Sequence, residues 1–104
     1  MIKNGFDVNA RANHGVTPLM QAILTKRSSI VRLLIENGAN IDGQADDGYT
    51  ALMISATLYP FDLIPNLIKL GASVNIRNND GFSAFENALA RKRIPAMKLI
   101  IFFT

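Results

Sequence analysis

Apolar residues recur along the chain at a fixed step of 33 residues, and each recurring position keeps its chemical type. The apolar columns are Leu19, Leu52 and Phe85; Val31, Ile64 and Met97; Leu34, Leu67 and Ile100; and Ile35, Ile68 and Ile101. Two glycine columns share the step: Gly15, Gly48 and Gly81, and Gly5, Gly38 and Gly71. A sustained period of this length is typical of proteins built from stacked repeats.

Each period predicts a short first helix that begins behind a hydroxyl residue. Thr17, Thr50 and Ser83 form one column, and their side-chain oxygens are suited to accept a hydrogen bond from the start of a helix. Pro18 follows at the first helical position, where the N–H that proline lacks has no partner within a helix. The first helix of this unit is therefore predicted to begin at Pro18.

A second helix in each period is predicted to end at a glycine. One such helix is predicted over Ile30 to Glu36, after which Gly38 supplies the left-handed backbone that a helix C-terminus favours. Gly5 and Gly71 have the same place in their periods. The stretch from Asn40 to Gly48 is polar, which predicts an extended, hairpin-like arm between successive helix pairs.

Pro65 falls where the preceding period has Arg32, inside the second helix. An interior proline costs about 3 kcal/mol, so a later helix start is expected in this unit. With Asp62 as the N-cap, Pro65 lies in the first turn, whose N–H groups have no intrahelical partner. The sequence thus predicts a short second helix from Leu63 to Leu70.

Two segments of the first full unit carry a family resemblance. Residues 15–22 are Gly-Val-Thr-Pro-Leu-Met-Gln-Ala, and residues 30–42 are Ile-Val-Arg-Leu-Leu-Ile-Glu-Asn-Gly-Ala-Asn-Ile-Asp. They resemble the ankyrin repeat, with its G-x-T-P-L-H-x-A opening and V-V-x-L-L-L-x-x-G-A-x-V-N close. The resemblance implies an all-α solenoid of stacked helix-turn-helix units joined by hairpin-like arms.

The resemblance extends over residues 1–104 as a single domain. It divides the chain into a partial repeat (1–11), a first repeat (12–44), a second repeat (45–77) and an incomplete third repeat (78–104). The departures from the family pattern are local. Its proline is kept only at Pro18, and the histidine after the leucine is replaced by Met20, Met53 and Glu86. These departures bear on the capping hydrogen bonds and leave the fold prediction unchanged.

Composition favours a soluble, intracellular protein. The chain is 49% apolar and 18% charged, which suits one folded core, and it has no cysteine for disulfides, thiolate sites or nucleophiles. Its longest apolar run, Leu99 to Phe103, is far shorter than the roughly 18 residues that a membrane span needs. A net charge of +3 is too mild to indicate nucleic acid as a partner.

The residues with catalytic or metal-binding chemistry are few. None of the common nucleophile, metalloprotease, phosphate-loop or dinucleotide motifs occurs in the sequence. His14 is the single histidine and makes a poor metal site alone, and Asp46 with Asp47 cannot supply the 6 to 8 oxygens that calcium prefers. We therefore expect no enzyme activity, no cofactor and no metal.

By the family resemblance, the arm tips and the exposed side of the first helices form a concave recognition surface. The residues expected there, called here the recognition set, are Arg11, Asn13, His14, Val16, Gln44, Asp46, Asp47, Tyr49, Arg77, Asn79, Asp80 and Phe82. Val16, Tyr49 and Phe82 share the 33-residue step, so they form either a stripe of binding anchors or side chains packed on neighbouring arms. Met20 and Met53 next to them are either core or adaptable contact residues.

The leading functional hypothesis is a protein-interaction module that binds a partner protein on this surface. The alternative is a regulatory or phosphate-binding appendage of a larger enzyme, which would use Lys26, Arg27 and the run Arg91 to Arg93 in the turns between helices. Both ends look incomplete against the repeat. We expect either that the natural protein continues beyond them or that the apolar stretch Leu99 to Phe103 mediates self-association.

Overall fold

The computed structural model describes residues 7–58 and 61–104, whose regular structure is helical, with no strand among them. A 3₁₀ turn at Asn13–Gly15 precedes helices α1 Pro18–Leu24, α2 Ser28–Glu36, α3 Ala51–Ser55, α4 Leu63–Lys69, α5 Ala84–Ala90 and α6 Ile94–Phe103. The all-α architecture of helix pairs is confirmed. The predicted helix end at Gly5 lies outside the described residues.

The first helices begin 33 residues apart and behind the predicted hydroxyl caps. Thr17, Thr50 and Ser83 each accept a hydrogen bond, over 3.3 Å, from the backbone N–H three residues further on. Glu86 completes a capping box in the last unit, because its side chain accepts the backbone N–H of Ser83 over 3.0 Å. The departures from the family pattern therefore leave all three caps intact.

The second helices differ in detail from the sequence prediction. α2 begins at Ser28, two residues before the predicted Ile30, whereas α4 agrees with its predicted span to within one residue. Pro65 lies in the first turn of α4, as expected. Asp62 has the predicted N-cap position of α4, but its side chain makes no capping hydrogen bond. Its backbone is already helical (φ −70°, ψ −16°), whereas a capping side chain needs an extended backbone to reach the first N–H groups.

Glycines end the second helices in the left-handed region. Gly38 has φ of 95° and Gly71 has φ of 107°, which confirms the predicted C-terminal turns. After Gly38, the N–H of Ala39 returns to the carbonyl of Leu34 over 2.9 Å, a bond that satisfies one of the last carbonyls of α2.

The helices stack in two layers around one core. α1 packs against α2 and α3, α3 packs against α4 and α5, and α6 packs against both α4 and α5. Side chains at most 1% exposed include Met20, Ile23, Leu52, Met53 and Ile64, each contributing about 1.5–3 kcal/mol through burial. Met20 and Met53 are thus core residues. The result is an elongated stack of 42 × 25 × 21 Å with the arms along one side.

Candidate functional site

A backbone hydrogen bond closes the tip of each arm. The N–H groups of Ala12, Ala45 and Asn78 donate to the carbonyls of Val16, Tyr49 and Phe82 over 2.8–2.9 Å. The tip glycines between them, Gly15, Gly48 and Gly81, have φ of 74°, 84° and 83°. The arms are therefore hairpin-like turns that recur with the sequence period.

Neighbouring arms are joined at their tips by backbone hydrogen bonds. The N–H of Asp46 donates to the carbonyl of His14, and the N–H of Asn79 donates to the carbonyl of Asp47, each over 3.0 Å. The approach is close enough to require glycine, because a Cβ on Gly48 would lie 2.6 Å from the backbone nitrogen of Asn79. Successive tips thus form a continuous edge.

Two of three equivalent side chains in the recognition set join neighbouring arms. Arg11 Nη1 donates to the carbonyl of Gln44 over 2.7 Å, and Gln44 Nε2 donates to the carbonyl of Arg77 over 3.0 Å. Arg77 instead contacts the arm and first helix that follow it directly in the sequence, where Nη1 donates to the carbonyl of Gly81 over 2.6 Å and lies 2.8 Å from Glu86 Oε1. We call Arg11, Gln44 and Arg77 the arm ladder. Sequence reasoning assigned them to recognition and missed this scaffolding contact, although their 33-residue step was its signal.

The recognition set is mostly accessible. Ten of its members are exposed, whereas Val16 and Tyr49 are half-buried. Phe82 has 38% of its surface exposed, and its backbone N–H is held by Asn78 Oδ1 over 3.1 Å.

Tyr49 lies between the second arm and α5. Its hydroxyl donates to Asn87 Oδ1 over 3.0 Å and accepts from Arg91 Nη2 over 2.8 Å. The Arg91 guanidinium carbon is also 5.9 Å from the centre of the Tyr49 ring. The hydroxyl end of Tyr49 is thus held by the next repeat, while the residue stays half-exposed. Of the two alternatives for this residue, binding anchor and packed side chain, each therefore describes a part of it.

An open groove of about 520 Å³ lies between the first and second repeats on the tip side. It is lined by His14, Val16, Leu24, Ala45, Asp46, Asp47, Tyr49 and Ile54. Five of these belong to the recognition set. Sequence reasoning missed Leu24 and Ile54. Leu24 could have been noticed, because it is apolar at a position where the later repeats have Thr57 and Ala90.

The groove is mainly apolar, with charge at its rim. Asp46 at the rim pairs with Arg11, whose Nη2 lies 3.2 Å from Asp46 Oδ1, and both side chains are exposed. The second carboxylate, Asp47, accepts the backbone N–H of Tyr49 over 3.0 Å. In the described part of the chain, no group of three or more His, Cys, Asp or Glu side chains could hold a metal ion.

Glu86 is the acidic residue with a clear change in pKa. The backbone N–H of Ser83 lowers the pKa of the Glu86 carboxyl below its ordinary value of 4.5, and the Ser83 hydroxyl and the charge of Arg77 act in the same direction. Partial desolvation opposes them. The electrostatics of Glu86 therefore belong to the capping box rather than to a reactive site.

The predicted basic turns are present between the paired helices. Lys26 and Arg27 join α1 to α2, and the run from Arg91 to Arg93 joins α5 to α6. Arg91 Nη2 donates to the Tyr49 hydroxyl over 2.8 Å, so this side chain is directed to the second arm. On the second-helix side, a cavity of only about 80 Å³ lies among Ser28, Val31, Arg32, Asn66, Lys69 and Leu70.

Comparison with known families agrees with this geometry. A family model for ankyrin repeats in many copies matches residues 1–55, and the model for a single ankyrin repeat matches residues 47–79. The chain belongs to the ankyrin repeat family. Ankyrin repeats are generally protein-protein interaction modules, and such domains are typically non-catalytic.

Beyond the matched residues, α5 and α6 continue the same helix pair over 84–103. A search of the curated proteins finds no match to the chain. Among the described residues, no helix has both the length and the apolar character needed to cross a membrane.

Proposed function

We propose that the chain binds a partner protein on the face formed by its arm tips and first helices, without chemistry of its own. The groove of about 520 Å³ between the first two repeats carries this proposal. Its size falls within the roughly 300–1,000 Å³ of clefts that hold small molecules, so it has room for side chains of a partner. The cavity of about 80 Å³ on the second-helix side is too small for a comparable contact.

Two aromatic residues on this face have the properties of binding anchors. Phe82 is 38% exposed although it is large and apolar, and Asn78 fixes its backbone. Tyr49 lines the groove and is held in place by Asn87 and Arg91. Aromatic side chains that are already positioned lose little freedom on binding, which is why they are frequent hot spots at interfaces.

The test begins with a partner captured from the source cell and measures its affinity for variants. Replacing Tyr49 and Phe82 together with Ala should weaken binding by more than about 2 kcal/mol if both are anchors. Ile30 and Leu33, each 40% exposed on α2, provide the matched control when both are replaced with Ala. Unchanged affinity in the Tyr49 and Phe82 variant, with helical circular dichroism intact, would refute the proposal.

Phosphate binding at the basic turns is the competing hypothesis. It predicts that polyanions bind with a steep dependence on salt, since each phosphate contact releases counterions. A fluorescence titration with a polyanion at low and high salt separates the two. Weak binding without a salt slope favours the partner-protein hypothesis.

Self-association through α6 is a second candidate, favoured by exposure. Ile101 is 61% exposed and Phe102 is 79% exposed, next to Phe103, whose ring lies 4.9 Å from that of Phe102. Lys69 Nζ lies 5.5 Å from the centre of the Phe103 ring, at the side of this apolar patch. An exposed apolar patch can pair with the same patch of a second copy. Sedimentation should show a dimer that Phe102→Asp dissociates, whereas a monomer at high concentration would rule the candidate out.

A further inference from the structure

We propose that the groove between the first and second repeats takes a peptide segment in which a bulky apolar side chain stands beside a lysine or arginine. The inference rests on the proposed function and specifies the chemistry of the partner. The groove has an apolar floor and an acidic rim, and the two features together define the ligand.

The floor consists of aliphatic side chains and one aromatic ring. Val16, Leu24, Ala45 and Ile54 line it, and the ring of Tyr49 forms a wall. Leu24 is 45% exposed at the end of α1, although each of its apolar neighbours Leu19, Met20 and Ile23 is at most 2% exposed. An aliphatic or aromatic side chain of a partner would remove the exposed part of Leu24 from water, and the gain would grow with the area covered.

The rim supplies a negative charge that the protein does not neutralise. Asp46 is paired with Arg11, but in the described part of the chain Asp47 has no cation paired with it. Asp47 is nevertheless held in place, because it accepts the N–H of Tyr49 over 3.0 Å. A fixed carboxylate beside an apolar floor favours a cation on the ligand and disfavours an anion.

The local charge is opposite in sign to that of the whole chain. The net charge is +3, yet no lysine or arginine is among the residues that line the groove. The rim of the groove carries Asp46 and Asp47. The partner segment is therefore expected to be basic at this contact, although the net charge alone favours acidic partners.

The experiment selects peptides from a random library on the immobilised 104-residue chain and measures their affinities by fluorescence anisotropy. We expect enrichment of sequences with Leu, Ile, Phe or Trp next to Lys or Arg. Asp47→Asn keeps an acceptor for the N–H of Tyr49 and removes only the charge, so affinity should fall about threefold to tenfold. Asp62→Asn, at an exposed acidic residue before α4 and outside the recognition set, is the control and should change affinity less than about twofold.

The apolar part has its own pair of variants. Leu24→Gln should weaken the selected peptides by about tenfold or more, whereas Leu33→Gln, at a similarly exposed leucine of α2, should leave affinity unchanged. The effect of Asp47→Asn should also shrink between about 0.05 and about 0.5 M salt, because exposed charge pairs are screened.

The outcomes separate this inference from the proposed function. Peptides that depend on Leu24 but show no preference for a cation, or no loss with Asp47→Asn, overturn the inference and leave the recognition face in place. Enrichment of acidic peptides overturns it as well. Binding that none of the face variants alters overturns both, and failure to select any peptide rejects the groove as a peptide site.

Discussion

Gly48 and Gly81 stand at equivalent places in two successive arms and have nearly the same backbone, with φ of 84° and 83°. Their surroundings differ. A Cβ on Gly48 would lie 2.6 Å from the backbone nitrogen of Asn79, whereas a Cβ on Gly81 would meet no atom within 4 Å in the described part of the chain. One glycine column therefore serves two separable purposes, a left-handed turn in every arm and close approach only where another arm follows.

The largest loss of folding free energy is expected where a substitution disturbs both the left-handed turn and the close approach of the next arm. Gly48→Ala strains the left-handed backbone by about 1–2 kcal/mol and also pushes against the third arm, so we expect a total loss above about 3 kcal/mol in urea unfolding. Gly81→Ala should lose only about 1–2 kcal/mol, because strain acts alone there. Equal losses in the two variants would contradict the distinction.

Gly38, at the end of α2, tests the left-handed backbone alone, without a close neighbour. Its φ is 95° and a Cβ there would meet nothing within 4 Å, so Gly38→Val should lose about 2 kcal/mol through backbone strain with a β-branched residue. Gly43, outside both glycine columns, has no positive φ, and its Cβ would lie 3.4 Å from the carbonyl oxygen of Asn40. Gly43→Ala should thus cost less than about 1 kcal/mol in the same urea melts, and a similar cost in both variants would refute the assignment of the turn.

The arm ladder extends the same comparison to side chains. Gln44→Ala removes hydrogen bonds to the carbonyls of Gly48 and Arg77 and should cost about 1 kcal/mol, since a typical bond contributes about 0.5–1.5 kcal/mol. Arg77→Ala breaks contacts with the segment that follows it directly, including an exposed ion pair with Glu86, so we expect a smaller loss. Chemical denaturation of both variants measures the difference, and a larger loss for Arg77→Ala would reverse the assignment.

The smallest effect concerns pH. The folded state lowers the pKa of Glu86, so its contribution to stability is present above the unfolded value of 4.5 and is lost as pH falls through the lower folded value. The stability difference between the wild type and Glu86→Gln should therefore be constant near neutrality and shrink below about pH 4.5. Urea melts across this range test it, and a difference independent of pH would exclude the charge of Glu86 as a contributor.

The sequence predicted the fold well because the period constrains several physical properties at once. If Pro18 begins a helix, Thr17 is its cap, and the 33-residue step extends this assignment to Thr50 and Ser83. In the same way, a helix end at Gly38 predicts a left-handed backbone at Gly71 as well. The capping box was also predictable from the sequence, because Ser83 and Glu86 have its spacing. The sequence prediction instead treated Glu86 only as a replacement of the family's histidine.

The site was less accessible from the sequence because it depends on contacts between repeats. Whether Gln44 faces a partner or the next arm is decided by the distance between arms, which no spacing within one repeat reveals. Asp62 has the predicted N-cap position but lacks the capping hydrogen bond for a local reason. Aspartate is a suitable capping residue, but the backbone of Asp62 is itself helical, and its side chain makes no hydrogen bond to the first turn of α4.

The position of Tyr49 also gives the molecule an optical signal. The chain has no tryptophan and two tyrosines, so Tyr59→Phe would leave Tyr49 as the sole tyrosine. Its hydroxyl is fixed between Asn87 and Arg91, and a ring held in one asymmetric environment contributes to near-ultraviolet circular dichroism that disappears when packing loosens. The docking of α5 against the second arm can therefore be followed without an attached label, separately from helix content in the far ultraviolet.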